Sequence, residues 1–376
     1  MQGLTYKFNN YDKDIIIERK DFFNPKKCVF YVKDGDYIYV ENGKEVKVGQ
    51  LLVKKSNGIK YYSSISGIAN IQGNSVVITN DNNDTEDKVE GLLNIDNITK
   101  EDVINTCEKF GINNGVNLLL DEFKSNKKVL IVNTIDIEPY TFNNRYLFQD
   151  NCKNTLELLE KISKLFNIST YLFMYINDPN IVSIKSLINN YPSVKLNIIK
   201  DKYPYNNNLF ILKKYLKEYS DNEIIKLDLL TLHKLFVGLI DKKPLNERYI
   251  TVIFNNPLRY FVVNTYYGVY LEEMIDSFVP PSWGGKSVYL NNFFRKNKCT
   301  NFDHLSLNDT VNTIFVLDDV NEVVTKCIKC GKCADICPIK INPLDKKLDP
   351  SCIRCGLCNY ICPANINLIV RVKDNG

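Results

Sequence analysis

Only two histidines, one tryptophan and three methionines occur among the 376 residues. His233 falls inside the apolar run LLTLHKLFVGLI and reads as a partly buried structural residue. His304, in a polar stretch, points to no chemistry. Nowhere does an apolar run approach eighteen residues, so no bilayer-spanning helix is expected. The opening MQGLTYKFNNYDKDIII lacks the unbroken apolar core of a secretory signal. A net charge of +4 is too small to argue for a nucleic-acid partner or for an anionic membrane. Any attachment to the cell membrane is then expected to come through partners. With 44% hydrophobic and 24% charged residues, the chain is expected to fold into two to four domains rather than to be disordered.

Cysteine is where the sequence is rich. Eight of its twelve cysteines fall in two copies of one pattern near the end. The first reads Cys327-Ile-Lys-Cys330-Gly-Lys-Cys333-Ala-Asp-Ile-Cys337-Pro338, and the second Cys352-Ile-Arg-Cys355-Gly-Leu-Cys358-Asn-Tyr-Ile-Cys362-Pro363. C-x2-C-x2-C-x3-C-P is the run that ligates iron–sulfur clusters in bacterial ferredoxins. Three cysteines spaced by two residues wrap three corners of a cubane, with Gly331 or Gly356 easing the turn. The fourth opens a short helix leading away, and reaches the neighbouring cluster. The expected ligation is therefore crossed: Cys327, Cys330, Cys333 and Cys362 on one [4Fe–4S] cluster, and Cys352, Cys355, Cys358 and Cys337 on the other. Pro338 and Pro363 stop regular continuation of the chain. The competing reading is zinc, since C-x2-C pairs also build zinc ribbons. Zinc leaves the third cysteine and the repeated C-P ending unexplained. A disulfide framework suits neither the length nor the lack of a secretory signal. The reducing compartment that the cysteine runs call for makes the cytoplasm the expected location.

Upstream, residues 27–80 read as short strands punctuated by Gly35, Gly43, Gly49, Gly58, Gly67 and Gly73, a small all-β unit. The acidic, Asn-rich stretch 81–90 reads as a surface linker. EDVINTCEKFG has helical period and a glycine C-cap at Gly111. VLIVNTID, YLFMYIND and VKLNIIK alternate as strands with the helical LELLEKISKLF and VSIKSLINN, which argues for an open α/β sheet. Two strands flank Asn255-Asn256-Pro257, followed by a glycine and a helix. Residues 280–309 look irregular. Cys28, Cys107, Cys152 and Cys299 read as ordinary thiols, and Trp283 as an aromatic beside a turn. Lys326, Lys329, Lys332 and Arg354, set among the cluster cysteines, are either solvated charge or a field that raises cluster potentials and attracts an acidic redox partner.

The order of these parts resembles the C subunit of Rnf-type electron-transport complexes, and more distantly the flavoprotein subunit of respiratory NADH dehydrogenases. The segments carrying the resemblance are Val32-Lys33-Asp34-Gly35-Asp36, Gly49-Gln50, Ser64-Ile65-Ser66-Gly67 and Asn133-Thr134-Ile135-Asp136-Ile137-Glu138-Pro139-Tyr140. Further along come Lys202-Tyr203-Pro204-Tyr205-Asn206, then Lys242-Lys243-Pro244-Leu245-Asn246-Glu247-Arg248-Tyr249-Ile250-Thr251-Val252, and finally the two cysteine runs. The resemblance implies an α+β multidomain chain. Its parts would be a barrel-sandwich β module with linker (1–90), a flavoprotein-like α/β open-sheet domain (91–228), a β-grasp module (229–290) and a bacterial-ferredoxin-like dicluster domain (291–376).

Relatives with flavin chemistry carry G-x-G-G-A-G-F-P-T after the first α/β helix, where backbone N–H groups approach the flavin phosphate. Here the stretch is Gly111-Ile-Asn-Asn-Gly115-Val-Asn-Leu-Leu-Leu. With Glu138, Gly111 and Gly115 are what remains of that site, so the chain is expected to lack its own FMN and NADH chemistry. The leading expectation is a non-catalytic electron-transfer subunit of a membrane redox complex, meeting its other subunits and a soluble redox donor or acceptor. Two alternatives stay open: a soluble FMN-dependent NADH oxidoreductase feeding a dedicated reductase, and a scaffold within a redox complex.

Overall fold

The computed structural model describes residues 15–83, 85, 93–113, 118–200, 203–204, 208–279, 285–295, 298–318, 323–345 and 349–369. The described residues form a mixed α+β structure with four sheets and a cysteine-rich C-terminal region. Gly115 and Trp283 lie outside the described residues, as does most of the stretch 81–90.

Near the N-terminus a four-stranded sheet (Lys27–Tyr31, Ser75–Asn80, Gly67–Gln72, Glu45–Val46) accompanies a three-stranded one (Tyr37–Ile38, Leu51–Lys54, Lys60–Tyr62). Their inward residues Phe30, Leu52, Val53, Ala69 and Ile78 share one apolar core with Val252, Phe261 and Val263 of a six-stranded sheet. That sheet runs, in spatial order, Ile17–Phe22, Leu258–Tyr266, Glu247–Asn255, Thr313–Leu317, Ser287–Leu290 and Lys298–Cys299. It therefore joins segments that the sequence reading assigned to different modules. The pairings responsible are parallel and far apart in sequence, Ile17 with Tyr260 and Thr251 with Thr313, and such pairings leave no local pattern. The stretch 280–309, expected to be irregular, contributes the strand Ser287–Leu290 to it.

The α/β part is a parallel sheet in the order Val194–Ile199, Ser169–Tyr175, Val129–Asn133, Ile224–Asp228. Val129–Asn133 is buried throughout, as expected for a central strand covered on both faces. Helices Lys100–Phe110, Asn143–Phe166 and Leu229–Ile240 supply one cover, through Val103, Leu156, Leu159, Leu232 and Leu235. Ile211, Leu216 and Tyr215 supply the other. Thr99 and Asp102 form a capping box at the start of Lys100–Phe110, and Gly111 ends it in the left-handed region at φ 62°. A Cβ on Gly111 would stand 2.7 Å from the Gly58 carbonyl, so close packing onto the β module also calls for glycine there. The first strand leads outward to its neighbours and the last returns to its other side. The strand order thus reverses between Val129–Asn133 and Ile224–Asp228, which opens a crevice at their carboxyl ends.

No helix among the described residues is long and apolar enough to cross a membrane.

Candidate functional site

The two cysteine runs fold as local copies. Lys329, Gly331 and Lys340 have positive φ (53°, 75°, 60°), and so do their counterparts Arg354, Gly356 and Asn365 (51°, 86°, 55°). In each copy a backbone N–H donates to the first sulfur, Lys329 to Cys327 and Arg354 to Cys352, both at 3.4 Å. The short helices Lys332–Asp335 and Leu357–Ile361 follow, each starting at its left-handed glycine. They carry the last cysteine of each run away from the other three.

That geometry sorts the eight thiols into two sets. Cys327, Cys330, Cys333 and Cys362 line one cavity of about 340 Å³, counted to its open rim, with Ile328, Leu344 and Ile366 among the apolar residues around them. Cys337, Cys352, Cys355 and Cys358 line a second of about 420 Å³, with Ile339, Ile341 and Ile353. Among the described residues, no three His, Cys, Asp or Glu side chains converge closely enough to share a single metal ion. One zinc ion would draw four sulfurs to ~2.3 Å from its centre. Four thiols around each apolar cavity are the donor set that a four-iron cluster would take.

Burial pushes the Cys333 and Cys355 thiols upward and takes Cys358 to about 12. Thiols in so apolar a lining hold their protons until a metal displaces them, and metal uptake must release protons.

The two cavities differ in how they meet the body. Around the first, Cys327 and Cys330 are exposed, and a Cβ on Gly331 would meet nothing within 4 Å. The second is held fast. The Tyr203 hydroxyl donates to the Cys355 carbonyl at 2.7 Å, Asn292 Nδ2 donates to the same oxygen at 3.2 Å, and Arg295 Nε donates to the Arg354 carbonyl at 3.0 Å. Gly356 sits so tightly against Phe294 that a Cβ would lie 2.7 Å from the Phe294 Cβ. Tyr360 packs on the Phe294 ring, centroids 4.7 Å apart. Asn292 and Arg295 carry no motif and lie in the stretch that reads as irregular, so sequence reasoning missed them. Tyr203 was visible only as one residue of a segment carrying the family resemblance.

Gly111 and Glu138 do not share a cavity. Gly111 borders a space with Lys60, Tyr62 and Phe110 between the β module and the α/β part. Glu138 lines a space of about 1050 Å³, counted to its open rim, at the crevice where the strand order reverses, with Asn133, Asp136, Asn144, Asp228 and Arg248. Burial raises Glu138 above the usual carboxylate range, opposed by Arg295, whose guanidinium lies 3.1 Å away. This pair links the crevice to the clamped cysteine loop.

Asp136 in the same cavity is buried and raised to about 8, chiefly by desolvation. The N–H of Asn144, bonded to it at 3.0 Å, opposes the shift, whereas Asp178 and Asp228 add to it and Arg248 lowers it. The folded chain keeps a proton that the unfolded chain releases near 3.9. Stability from this group is complete below that value and is lost as pH rises through about 8. Asp136→Asn keeps an oxygen for the Asn144 N–H and cannot ionise. Between pH 5 and 8 the variant should gain on the parent by about 1.4 kcal/mol per pH unit. Urea unfolding across that range checks it, and parallel pH profiles for the two proteins contradict it.

His233 is half-buried, stacks on Phe236 and is lowered to about 4 by burial, in keeping with a structural role. Cys28 and Cys107 are buried thiols raised by desolvation, and Cys152 and Cys299 are half-buried. Lys326, Lys329, Lys332 and Arg354 are all exposed.

No family model matches the chain. A curated relative, the C subunit of the ion-translocating oxidoreductase complex of Buchnera aphidicola, is 26% identical over 369 residues, covering 85% of this chain and 74% of the relative. Solved structures similar in part include the NAD+-reducing [NiFe]-hydrogenase in its air-oxidized state (12% identity, TM-score 0.45) and in its H2-reduced state (11% identity, TM-score 0.47). Each match covers 60% of this chain, which spans about half (48%) of the hydrogenase chain. The chain is a distant homologue of the C subunit of ion-translocating oxidoreductase complexes.

Proposed function

We propose that this chain is an electron-transfer subunit with two [4Fe–4S] clusters, one on Cys327, Cys330, Cys333 and Cys362 and the other on Cys337, Cys352, Cys355 and Cys358. One observation carries the reading: the repeated run folds so that four thiols, three from one copy and one from the other, surround each of two separate apolar cavities. Such clusters supply one-electron transfer when bound. The protein's part is to present thiolates, to exclude water with isoleucines and prolines, and to aim backbone N–H groups at sulfur.

We read the β units as the barrel-sandwich and β-grasp modules of an RnfC-like protein, with the cysteine region as its ferredoxin-like dicluster domain. Its place is then the cytoplasmic face of a membrane redox complex, among other subunits and a soluble redox partner. No acid, base or nucleophile takes part. The crevice at the strand ends carries Asp136, Glu138 and Asp228 beside Lys226 and Arg248, and Gly111 lies on a different cavity, so the residues that the resemblance marks for a flavin do not line one space. This supports an electron carrier without FMN or NADH chemistry of its own.

Anaerobic purification with flavin and iron analysis tests the reading. The expected result is visible absorption that bleaches with a chemical reductant and not with NADH, and no stoichiometric flavin. One FMN per chain with NADH-driven bleaching would make the chain an FMN-dependent NADH oxidoreductase. Failure to take up iron would leave a scaffold.

A further inference from the structure

The two cysteine loops share cysteine spacing and backbone conformation, but the first carries Lys326, Lys329 and Lys332 where the second has Ser351, Arg354 and Leu357, and the two also differ in what surrounds them. Lys329 and Cys330 of the first loop are exposed, and a Cβ on Gly331 would meet nothing within 4 Å. The matching Arg354, Cys355 and Gly356 are gripped by Arg295, by Tyr203 with Asn292, and by Phe294. Asn292 also donates to the Tyr203 hydroxyl at 2.9 Å, which locks the two donors together. Arg295 is the one charged side chain among these contacts. Its Nε donates to the cysteine loop, and its Nη2 holds Glu138 at the edge of the crevice, 3.1 Å away. Among the described residues, the first loop has no counterpart of this pair. Besides the solvated lysines of the first loop, this partly buried pair gives the second site a charged neighbour of its own.

We propose that Arg295 and Glu138 form a charge pair that sets the reduction potential of the site on Cys337, Cys352, Cys355 and Cys358 apart from that of the other site. Arg295 favours the reduced form, and Glu138 opposes it. The inference rests on the two-cluster reading. Its physics is Coulombic: reduction adds a negative charge to the metal site, a fixed guanidinium nearby stabilises that charge, and a carboxylate destabilises it. Potentials of such centres respond to net charge and to hydrogen bonding around the sulfurs. The interaction is little screened, because Glu138 is largely buried and Arg295 only about one-third exposed. Tyr203 and Asn292 act as positioning residues. By fixing the Cys355 carbonyl they hold the loop at constant distance from the pair.

The test is a potentiometric titration of the full chain, reconstituted anaerobically with iron and sulfide and followed by electron paramagnetic resonance. Wild type, Glu138→Gln, Arg295→Gln and Arg295→Lys are compared. Glu138→Gln should raise one midpoint and Arg295→Gln should lower that same midpoint. Each shift should be about tenfold in the oxidised-to-reduced ratio at fixed poise, 59 mV for a one-electron couple. Arg295→Lys, which keeps the charge, should stay near the parent value. Repeating the set in a Cys327→Ala/Cys362→Ala background, which leaves only the clamped site, assigns the midpoint that moves. With iron content at the parental level, unchanged midpoints overturn the proposal. So does equal movement of both midpoints, or a shift in Arg295→Lys as large as that in Arg295→Gln. A wild-type chain that takes up no iron overturns the two-cluster reading and the proposal together, and the iron count shows this before any titration begins.

Discussion

Replacing Cys327 and Cys362 together by alanine is expected to leave about four irons per chain, whereas replacing Cys327 and Cys337 together leaves none, given four irons and four thiolates per cluster. Each pair removes two thiols, so the contrast depends only on which thiols share a cavity. Cys327 and Cys362 come from different copies of the run and line the same space. Cys337 belongs to the same copy as Cys327, yet lies with Cys352, Cys355 and Cys358. The first pair therefore damages one site twice, and the second pair damages both sites once. Uncrossed ligation, each run holding its own cluster, reverses the two results. The clamped site in the first double variant retains its contacts to Tyr203, Asn292 and Arg295, so its loop stays formed. Iron and sulfide analysis of anaerobically reconstituted protein reads the outcome, with the parent at about eight irons.

Gly67→Ala should cost at least about 3 kcal/mol, the upper end of what overpacking imposes. Gly67 is buried in the strand Gly67–Gln72, paired with Asn80 on one side and Val46 on the other. Its φ is +155°, and a Cβ would stand 1.9 Å from the Thr79 carbonyl oxygen. That contact is to backbone, so no rotamer change relieves it, and the pairing with Ser75–Asn80 must open. Gly43→Ala is the control. Gly43 also has positive φ, +78°, but a Cβ there meets nothing within 4 Å, so only the left-handed penalty of about 1–2 kcal/mol remains. The core beneath the β module is continuous with that of the six-stranded sheet, so the loss should appear as one lowered urea midpoint. A Gly67→Ala variant no less stable than Gly43→Ala would contradict the packing described.

Local structure was legible where local chemistry decides it. The capping box and glycine end of Lys100–Phe110, the fully buried strand Val129–Asn133 and the hairpin around Asn256–Pro257 all follow from neighbouring residues. The grouping of the cysteines also follows local chemistry: the spacing put Cys362 with the first run's three cysteines and Cys337 with the second's, and the same sets line the two cavities. Long-range partners were not. Ile17–Phe22 reads I-E-R-K-D-F, a polar surface segment, and becomes a strand because it lies parallel to Leu258–Tyr266. Glu18 pairs with Arg259, and Arg19 with Asp150, in fixing it there. Neither partner can be found from the segment alone. Among the candidate flavin residues, the family resemblance implied that Gly111 and Glu138 belong together. The structure instead uses Gly111 to close a helix against the β module, and ties Glu138 to Arg295. Arg295 itself has no signature, because its importance comes from the loop it touches, and that loop is more than fifty residues away.

The most direct test of the central claim is the count of iron, acid-labile sulfide and zinc per chain in anaerobically prepared wild-type protein. Two four-iron clusters predict about eight irons, about eight sulfides and no stoichiometric zinc. Two zinc ions with no labile sulfide would contradict the account.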